Sequence, residues 1–431
     1  MRSTIKKIIV VGGGFAGAAL IRQLASAREN DVEVTLISEE SYTTFNPLLA
    51  EVVGAAVFPE HVVAPLREFT RGARFVMGRV NAVDFAARLL HTSSLQGPLT
   101  LPYDHLVFAF GNRARCDLIP GMVDHGHVLK TLGDAIHVRN LVLRRLAQME
   151  LEPDPDARRT LGHFVVIGGG FSGVEVAGAL ADVLHGICQY YPRVKADELA
   201  ISLLHDGAIL LPQLPEALGL AATTSLMQRG VAVRLNTSAS RIDAKQVQLQ
   251  SGESIPTATA IATIGTRANA LTEVLQGVTL ERGRIVCRAD CSVVGPASVW
   301  AIGDCAQIPL PNGEYAIPTA QFAVAEAKHL TRQLLAVLRG ERTQPFDYRS
   351  RGMMATVGHH KGVAELAGIK LTGLPAWLLW RAYYLSQMPT AGRKFRVFIE
   401  WTWGMFFRPD ITHFRFERSV EQDKQPEVRS P

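Results

Sequence analysis

In Lys7-Ile8-Ile9-Val10-Val11-Gly12-Gly13-Gly14-Phe15-Ala16-Gly17, four β-branched residues run straight into a glycine-rich turn. A short apolar run of this kind suits a strand buried on both faces of a parallel sheet. The glycines follow in the spacing GxGxxG. Gly12 permits the tight turn, Gly14 lets the backbone approach a diphosphate, and Gly17 lets helix pack on strand. The helix opening there, to about Arg28, points unpaired N–H groups and its positive dipole end at an anion. A second strand, Val32–Ser38, follows. Glu39 comes 22 positions after Gly17, where an acid can hold a ribose hydroxyl. A structural Gly-rich turn would need the glycines but not this strand, helix and acid.

The pattern recurs. Phe164-Val165-Val166-Ile167 leads into Gly168-Gly169-Gly170-Phe171-Ser172-Gly173, a helix to about His185 and a strand over 200–205. Asp206 lies 33 positions beyond Gly173, so an insertion at about 189–198 separates helix from strand. This is a duplicated βαβ unit rather than a short-period repeat. One chain with two such sites can hold two dinucleotides face to face, and hydride transfer from nicotinamide to flavin is the economical use of that. Residues 150–162, rich in Asp, Pro and Arg, read as a surface connection. Residues 298–304 read as strand plus turn, 319–339 as a helix, and the polar tail from Gln422 as disordered.

The chain has 431 residues, 47% hydrophobic and 20% charged, with 45 Lys and Arg against 40 Asp and Glu. It is long enough for two or three domains with sizeable cores. A disordered chain, a collagen-like repeat and a small disulfide scaffold are excluded. A net charge of +5 is too thin to imply nucleic acid as a partner. The five cysteines form no CxxC, so neither a disulfide framework nor a zinc ribbon is indicated, and no metal site is expected. Reduced thiols suit a cytosolic compartment. No run reaches 18 consecutive apolar residues. Ile8 to Val11 is too short for a signal-peptide core.

Two fingerprints together with Ala301-Ile302-Gly303-Asp304-Cys305-Ala306 resemble the two-dinucleotide-domain flavoproteins. In that group the Gly-Asp turn holds the ribityl and phosphate part of FAD, which implies Gly303 and Asp304 as contacts. A turn or cap aspartate is the alternative for Asp304. Tyr103-Asp104-His105-Leu106-Val107-Phe108-Ala109-Phe110-Gly111 resembles the group's strand into an Ala-Thr-Gly turn, with Phe110 replacing the Thr. Ala262-Thr263-Ile264-Gly265-Thr266-Arg267 looks like its counterpart in the second domain.

Narrower likenesses resemble the type II NADH dehydrogenases. They are Phe45-Asn46-Pro47-Leu48-Leu49, Pro59-Glu60, Ala64-Pro65-Leu66-Arg67, Gly173-Val174-Glu175-Val176-Ala177-Gly178, Pro318-Thr319-Ala320-Gln321 and the Trp-rich segment after Pro375. The resemblance covers about residues 5–415. It implies an NAD(P)H:quinone oxidoreductase with non-covalent FAD and no proton pumping. The implied fold class is α/β with two Rossmann-like domains and a C-terminal membrane-binding helical region. The FAD domain would be split over 1–150 and 286–345, the NAD(P)H domain inserted at 160–285, and the membrane-anchoring region would span 346–431. Implied FAD contacts are Gly12, Gly14, Phe15, Gly17, Glu39, Gly111, Gly303, Asp304, Thr319 and Ala320. Implied NAD(P)H contacts are Gly168, Gly170, Phe171, Gly173, Asp206 and Gly265. Direct alignment puts His205 at the family's strand-end acid, with Asp206 next. An acid there repels a 2′-phosphate, which favours NADH.

Glu175 and Gln321 carry the implied catalysis. Glu175 is expected in the first turn of the second Gly-rich helix, where the dipole favours a carboxylate. The resemblance instead puts it beside nicotinamide and flavin, positioning donor against acceptor. Thr319 reads as the N-cap of a helix whose positive end, in the resembled fold, stabilises negative charge on reduced flavin. Gln321 matches the first glutamine of the family's quinone motif, or is simply a polar residue satisfying a helix end. The second glutamine would fall at Ala325, followed by Glu326, a departure that puts the quinone headgroup contact in doubt.

Disulfide reductases of this superfamily carry a Cys pair soon after the first fingerprint, and no Cys here precedes Cys116. Cys287 and Cys291 read as packing residues, and Cys305 as packed near FAD. His359 and His360, if on a strand, point to opposite faces and do not share a metal; a turn, solvated or near the flavin, is the other reading. Residues 375–409 hold ten aromatics, including four of the five Trp, and five basic residues against Glu400. Pro389 and Gly392 would split this segment into two helices. Phe395, Phe398, Trp401 and Met405 would form one apolar stripe. Such helices suit a lipid surface, with a core pair or a dimer seam as the alternative. The expectation is a peripheral protein on the cytoplasmic face that delivers electrons to a membrane quinone; a homodimer is compatible. Rival readings are a flavoprotein redox sensor with vestigial turnover and a sulfide:quinone oxidoreductase, the latter opposed by the poor cysteine pair.

Overall fold

A computed structural model describes residues 5–26, 31–70, 72–350 and 352–414. The tail from Gln422 lies outside them. The strand Lys6–Val11 sits in the middle of a seven-stranded sheet. Its order is Val299–Ala301, His105–Phe108, Lys6–Val11, Val32–Ser38, Arg74–Asp84, Leu89–Ser94 and Gly97–Pro102. The first five run parallel, and the last two join antiparallel. Ile8 to Val11 are all buried, as a strand covered on both faces must be. The helix Phe15–Ser26 packs against the helix Ala320–Leu338 on this sheet.

The second sheet has five parallel strands in the order Gly126–Val128, Thr259–Ala262, His163–Ile167, Ala200–Leu204 and Val231–Arg234. Its Gly-rich helix, Phe171–Ile187, belongs to a segment long and apolar enough to cross a membrane. It is a core helix: Val174, Val176, Ala177 and Leu180 are buried with Phe164 and Val166. Two short 3₁₀ turns, Cys188–Tyr190 and Ala196–Glu198, fill the expected insertion.

The chain returns to the first sheet at Val299–Ala301 only after the second is complete. The two crossing connections run side by side as a short antiparallel pair, Asn112–Ala114 with Thr266–Ala268. The division differs from the expected boundaries. Gly126–Val128 pairs into the second sheet, and the helix Leu132–Leu151 buries Val138, Val142 and Leu146 in the second core. Residues 126–151 therefore pack with the second unit, not with 1–150. Conversely, Leu271 and Leu275 pack in the first core although they fall within 160–285. Gly126-His127-Val128 has no apolar run to announce a strand.

Residues 150–162 are not simply a connection. Leu132–Leu151 continues into them, and Pro155–Gly162 is a helix. Asp154 caps it, accepting the Asp156 N–H at 3.1 Å, with Pro155 in the first turn. That Asp-Pro pair reads equally as a loop or as a helix start.

The C-terminal unit is a three-stranded antiparallel sheet, Gly352–Thr356, Gly362–Leu366 and Ile369–Thr372, followed by helices Leu374–Gln387 and Ala391–Trp403. Thr390 caps the second helix, accepting the Arg393 N–H, so the break is at Pro389 and Gly392 lies inside the helix. The expected apolar stripe divides into two faces. Trp401 points inward with Val397 and Trp380 into the second core, whereas Phe395, Phe398 and Met405 are exposed. The inward face carries charge as well. The Arg381 guanidinium lies 3.7 Å from the Trp377 ring centroid and 4.8 Å from that of Trp401. Trp401 Nε1 donates to Glu51 at 3.3 Å, and Glu400 pairs with His61 at 2.9 Å. The Glu51 and His61 contacts fasten the last helix to the N-terminal segment that packs in the second core.

Candidate functional site

Both glycine-rich turns sit at carboxyl ends of parallel strands, where open α/β sheets bind ligands. A cleft of about 1600 Å³ runs from the first turn to the C-terminal helices. An ordinary small-ligand pocket holds roughly 300–1,000 Å³, so this one suits an extended dinucleotide. Gly12 has φ +107, and a Cβ there would stand 2.4 Å from the Ala109 oxygen. At Gly14 and Gly111 a Cβ would meet nothing within 4 Å, and both positions line the cleft. The backbone is thus bared to a ligand where the fingerprint requires it. Phe15, Glu39, Gly303 and Asp304 line the same cleft, as do Thr319 and Ala320 at the start of their helix. Thr319 caps that helix by accepting the Phe322 N–H. Gly17 does not reach the cleft: its Cβ would lie 1.9 Å from the Gly12 oxygen, so it serves helix–strand contact.

Glu39 is placed as the strand-end acid and is ion-paired with Arg113 at 3.0 Å. Lys130 lies across the cleft. Its ammonium donates to Asn112 at 2.5 Å, and burial lowers its pKa while Asp304 opposes that. Sequence reasoning missed Arg113 and Lys130, because single cations carry no pattern. The residues present fit a dinucleotide such as FAD: bared glycine backbone, a helix N-terminus, and a carboxylate at the ribose position.

The second fingerprint adjoins this cleft. Phe171, Ser172 and Glu175 line it, while Gly168, Gly170, Gly173, Asp206 and Gly265 lie outside it. Gly173 repeats the role of Gly17, with a Cβ 1.7 Å from the Gly168 oxygen. The strand register settles which residue is the strand-end acid. Gly12 N–H donates to the Ile37 oxygen, and Gly168 N–H donates to the Leu204 oxygen, both at 2.8 Å. Val11 pairs with Ile37, and Ile167 with Leu204. His205 is therefore the counterpart of Ser38, and Asp206 the counterpart of Glu39. Direct alignment by sequence is one residue off. His205 is tucked beneath the turn, where its Nδ1 lies 3.3 Å from the Gly169 N–H that donates to it. The Asp206 side chain is 79% exposed, with one carboxylate oxygen 3.1 Å from His205 Nδ1.

Glu175 lies one residue past the first turn of Phe171–Ile187, not within it, so the helix dipole is a weak account of it. It accepts the Thr356 N–H at 3.3 Å. Burial pushes its carboxyl up to about 8; the Thr356 N–H pulls back and Glu51 pushes further. At neutral pH it is largely protonated. Glu51, a charged residue in an apolar turn of helix, is raised by burial, with Arg381 opposing.

The amide of Gln321 is engaged: its Nε2 donates to the Gly352 oxygen at 3.0 Å, and Tyr348 hydroxyl donates to its Oε1 at 3.4 Å. Ala325 lines the cleft, with Tyr348, Met353, Tyr383 and Gln387 on the surrounding wall. Of the five free cysteines, Cys116 alone lines the cleft. Cys287, Cys291 and Cys305 are buried, so no thiol pair faces it. His359 and His360 form a turn rather than a strand, with ring centroids 3.8 Å apart against Trp377. Among the described residues, no cluster of three or more His, Cys, Asp or Glu is arranged for a metal.

The family model described as pyridine nucleotide-disulphide oxidoreductase matches residues 6–327, and the NDH2 C-terminal domain model matches residues 350–410. The chain is 28% identical to the type II NADH:quinone oxidoreductase NdhA of Mycobacterium tuberculosis, covering 93% of this chain and 87% of that one. It is 28% identical to the demethylphylloquinone reductase NdbB of Synechocystis, covering 92% and 95%. The structure of NDH2 from Plasmodium falciparum in complex with NADH superposes with a TM-score of 0.88 at 19% identity, covering 95% and 100%.

Proposed function

Because the chain belongs to the pyridine nucleotide-disulphide oxidoreductases and ends in an NDH2 C-terminal domain, we propose that it is an FAD-dependent NADH:quinone oxidoreductase working at a membrane without pumping protons. The observation that carries this reading is a shared wall. The first fingerprint and the first turns of the second Gly-rich helix line one cleft, which opens toward an aromatic C-terminal unit. FAD, when bound, supplies a ring that accepts hydride from reduced nicotinamide and returns electrons to quinone.

The chain's own residues do the rest. Gly14, Gly111 and the Gly303-Asp304 turn bind the cofactor, and Gly17 and Gly173 let helices close on strands. Gly168, Gly170, Phe171 and Gly265 hold the nicotinamide dinucleotide. The N-terminus of Ala320–Leu338 directs its dipole at the flavin end of the cleft, where negative charge develops. Glu175, neutral at working pH, orients donor against acceptor and can hold a proton near them. Gln321, fixed by Gly352 and Tyr348, forms part of the quinone wall, with Ala325 leaving space where the family has a second amide.

Asp206 favours NADH. A carboxylate there accepts from ribose hydroxyls and repels a 2′-phosphate. Asp206→Asn should raise the KM for NADH about tenfold and lose most discrimination against NADPH, as measured by kcat/KM for each. An unchanged ratio would show that the discrimination lies elsewhere.

The exposed aromatics of the last helix, flanked by Lys394 and Arg396, lie on the lipid surface. Five free cysteines suit a reducing compartment, which favours the cytoplasmic face. The deciding experiment is anaerobic. NADH should bleach the flavin absorbance, and a menaquinone, ubiquinone or plastoquinone analogue should restore it within turnover. A flavin that NADH reduces but no quinone reoxidises would instead support a redox sensor.

A further inference from the structure

Ala325 and Glu326 are neighbours on the helix Ala320–Leu338 but face different ways. Ala325 lines the cleft. Glu326 is turned inward and is 2% exposed. It therefore cannot take the place of the missing glutamine. Its Oε2 accepts the Gly303 N–H at 2.5 Å. Gly303 has φ +73, and a Cβ there would stand 3.0 Å from the Ala16 Cβ. The turn that carries Asp304 is thus gripped between the first Gly-rich helix and the helix of Glu326.

We infer that Glu326 is a positioning residue that holds the Gly303-Asp304 turn, so that affinity for the flavin dinucleotide falls as pH rises. This rests on the reading of that turn as a flavin contact. The groups around Glu326 point one way. Arg284 is the one cation among the described residues that acts on it, and its Nη2 already donates to the Ala306 and Ala316 oxygens. Asp304 is a second acid at the same turn, with Lys130 facing it rather than Glu326. Cys287, Cys291 and Cys305 are buried thiols whose pKa values burial holds up, so they stay neutral.

Burial pushes the Glu326 carboxyl up to about 7. The Gly303 N–H and Arg284 pull back, and Asp304 pushes further. A diphosphate at the neighbouring turn adds like charge and favours the proton more strongly still. The bound state then has the higher pKa, so ligand and proton bind together. Affinity is constant at low pH. It weakens as pH rises through the free-state value, by up to about tenfold per pH unit until the bound-state value is passed.

The test uses holoprotein diluted at about pH 6 to about pH 9, with released flavin read by its fluorescence. Wild type should release flavin with a Kd that rises about tenfold or more across this range. Glu326→Gln, neutral and of the same shape, should keep its flavin at low pH and show no slope. A flat wild-type profile, or the wild-type slope persisting in Glu326→Gln, overturns the inference. Should the Gln variant fail to fold, Glu326→Asp decides: the shortened side chain should weaken retention at every pH while keeping a slope, and wild-type retention would overturn it. A wild-type protein that holds no flavin at any pH fails the functional proposal instead, and this readout detects that without any quinone.

Discussion

Glu175→Ala should slow reduction of the bound flavin by NADH on the order of 100-fold while the Kd for NADH changes far less, because misplacing donor against acceptor costs rate rather than binding. Stopped-flow traces at saturating NADH measure the first quantity, and their concentration dependence the second. The same carboxyl sets a pH signature. Burial, with Glu51 beyond it, holds Glu175 neutral until about pH 8. The wild-type reduction rate should therefore hold steady below that value and change as pH rises through it. Glu175→Gln keeps the neutral shape and has no proton to lose, so its profile should be flat over the same range. An unchanged reduction rate in the Ala variant would remove Glu175 from the chemistry. A pH step persisting in the Gln variant would assign the titration to another group, with Glu51 the acid coupled to it.

Replacing Phe395, Phe398, Trp403, Phe406 and Phe407 together by Ser should abolish co-sedimentation with anionic lipid vesicles while leaving the flavin in place. All five are exposed, and Trp403 and Phe407 stack at 3.8 Å. Burying a large apolar side chain is worth about 1.5–3 kcal/mol. Losing even three such contacts weakens binding by a factor on the order of 10³. These substitutions are a better probe than deletion from Pro375 onward. That deletion would strip Trp380, Trp401 and Val397 from the second core and unfold what it meant to detach. Vesicle binding equal to wild type in the five-residue variant would mean that the face serves another partner.

The sequence announced whatever was written as a local pattern. Both βαβ units, the Thr319 cap and the Gly303-Asp304 turn follow from short-range signals: apolar runs, glycine spacing, a capping hydroxyl. What escaped it depends on register or on which way a helix turns. His205 and Asp206 differ by one step, and a ladder of paired strands is needed to choose between them. Trp401 and Phe398 look alike in a list of aromatics, yet one is core and the other is surface, because helical facing is fixed by the partner. Gly126–Val128 is a strand only because Thr259–Ala262 lies beside it. Glu51 and Glu326 were unreadable for the same reason: a lone acid in a helix says nothing until its neighbours are known. The resemblance to known flavoenzymes supplied roles for Glu175 and Gln321 that spacing alone did not.

The crossing of the chain between its two sheets bears on how the protein is made. Val299–Ala301 pairs beside His105–Phe108, so the first sheet lacks an edge until the ribosome has delivered the whole inserted unit. During that interval the strand His105–Phe108 presents a bare, apolar flank. Long-range parallel pairing of this kind is slow and exposed to aggregation. The nascent chain should therefore depend on holding chaperones, and early-arrested translation products should be found in inclusion bodies rather than as soluble halves.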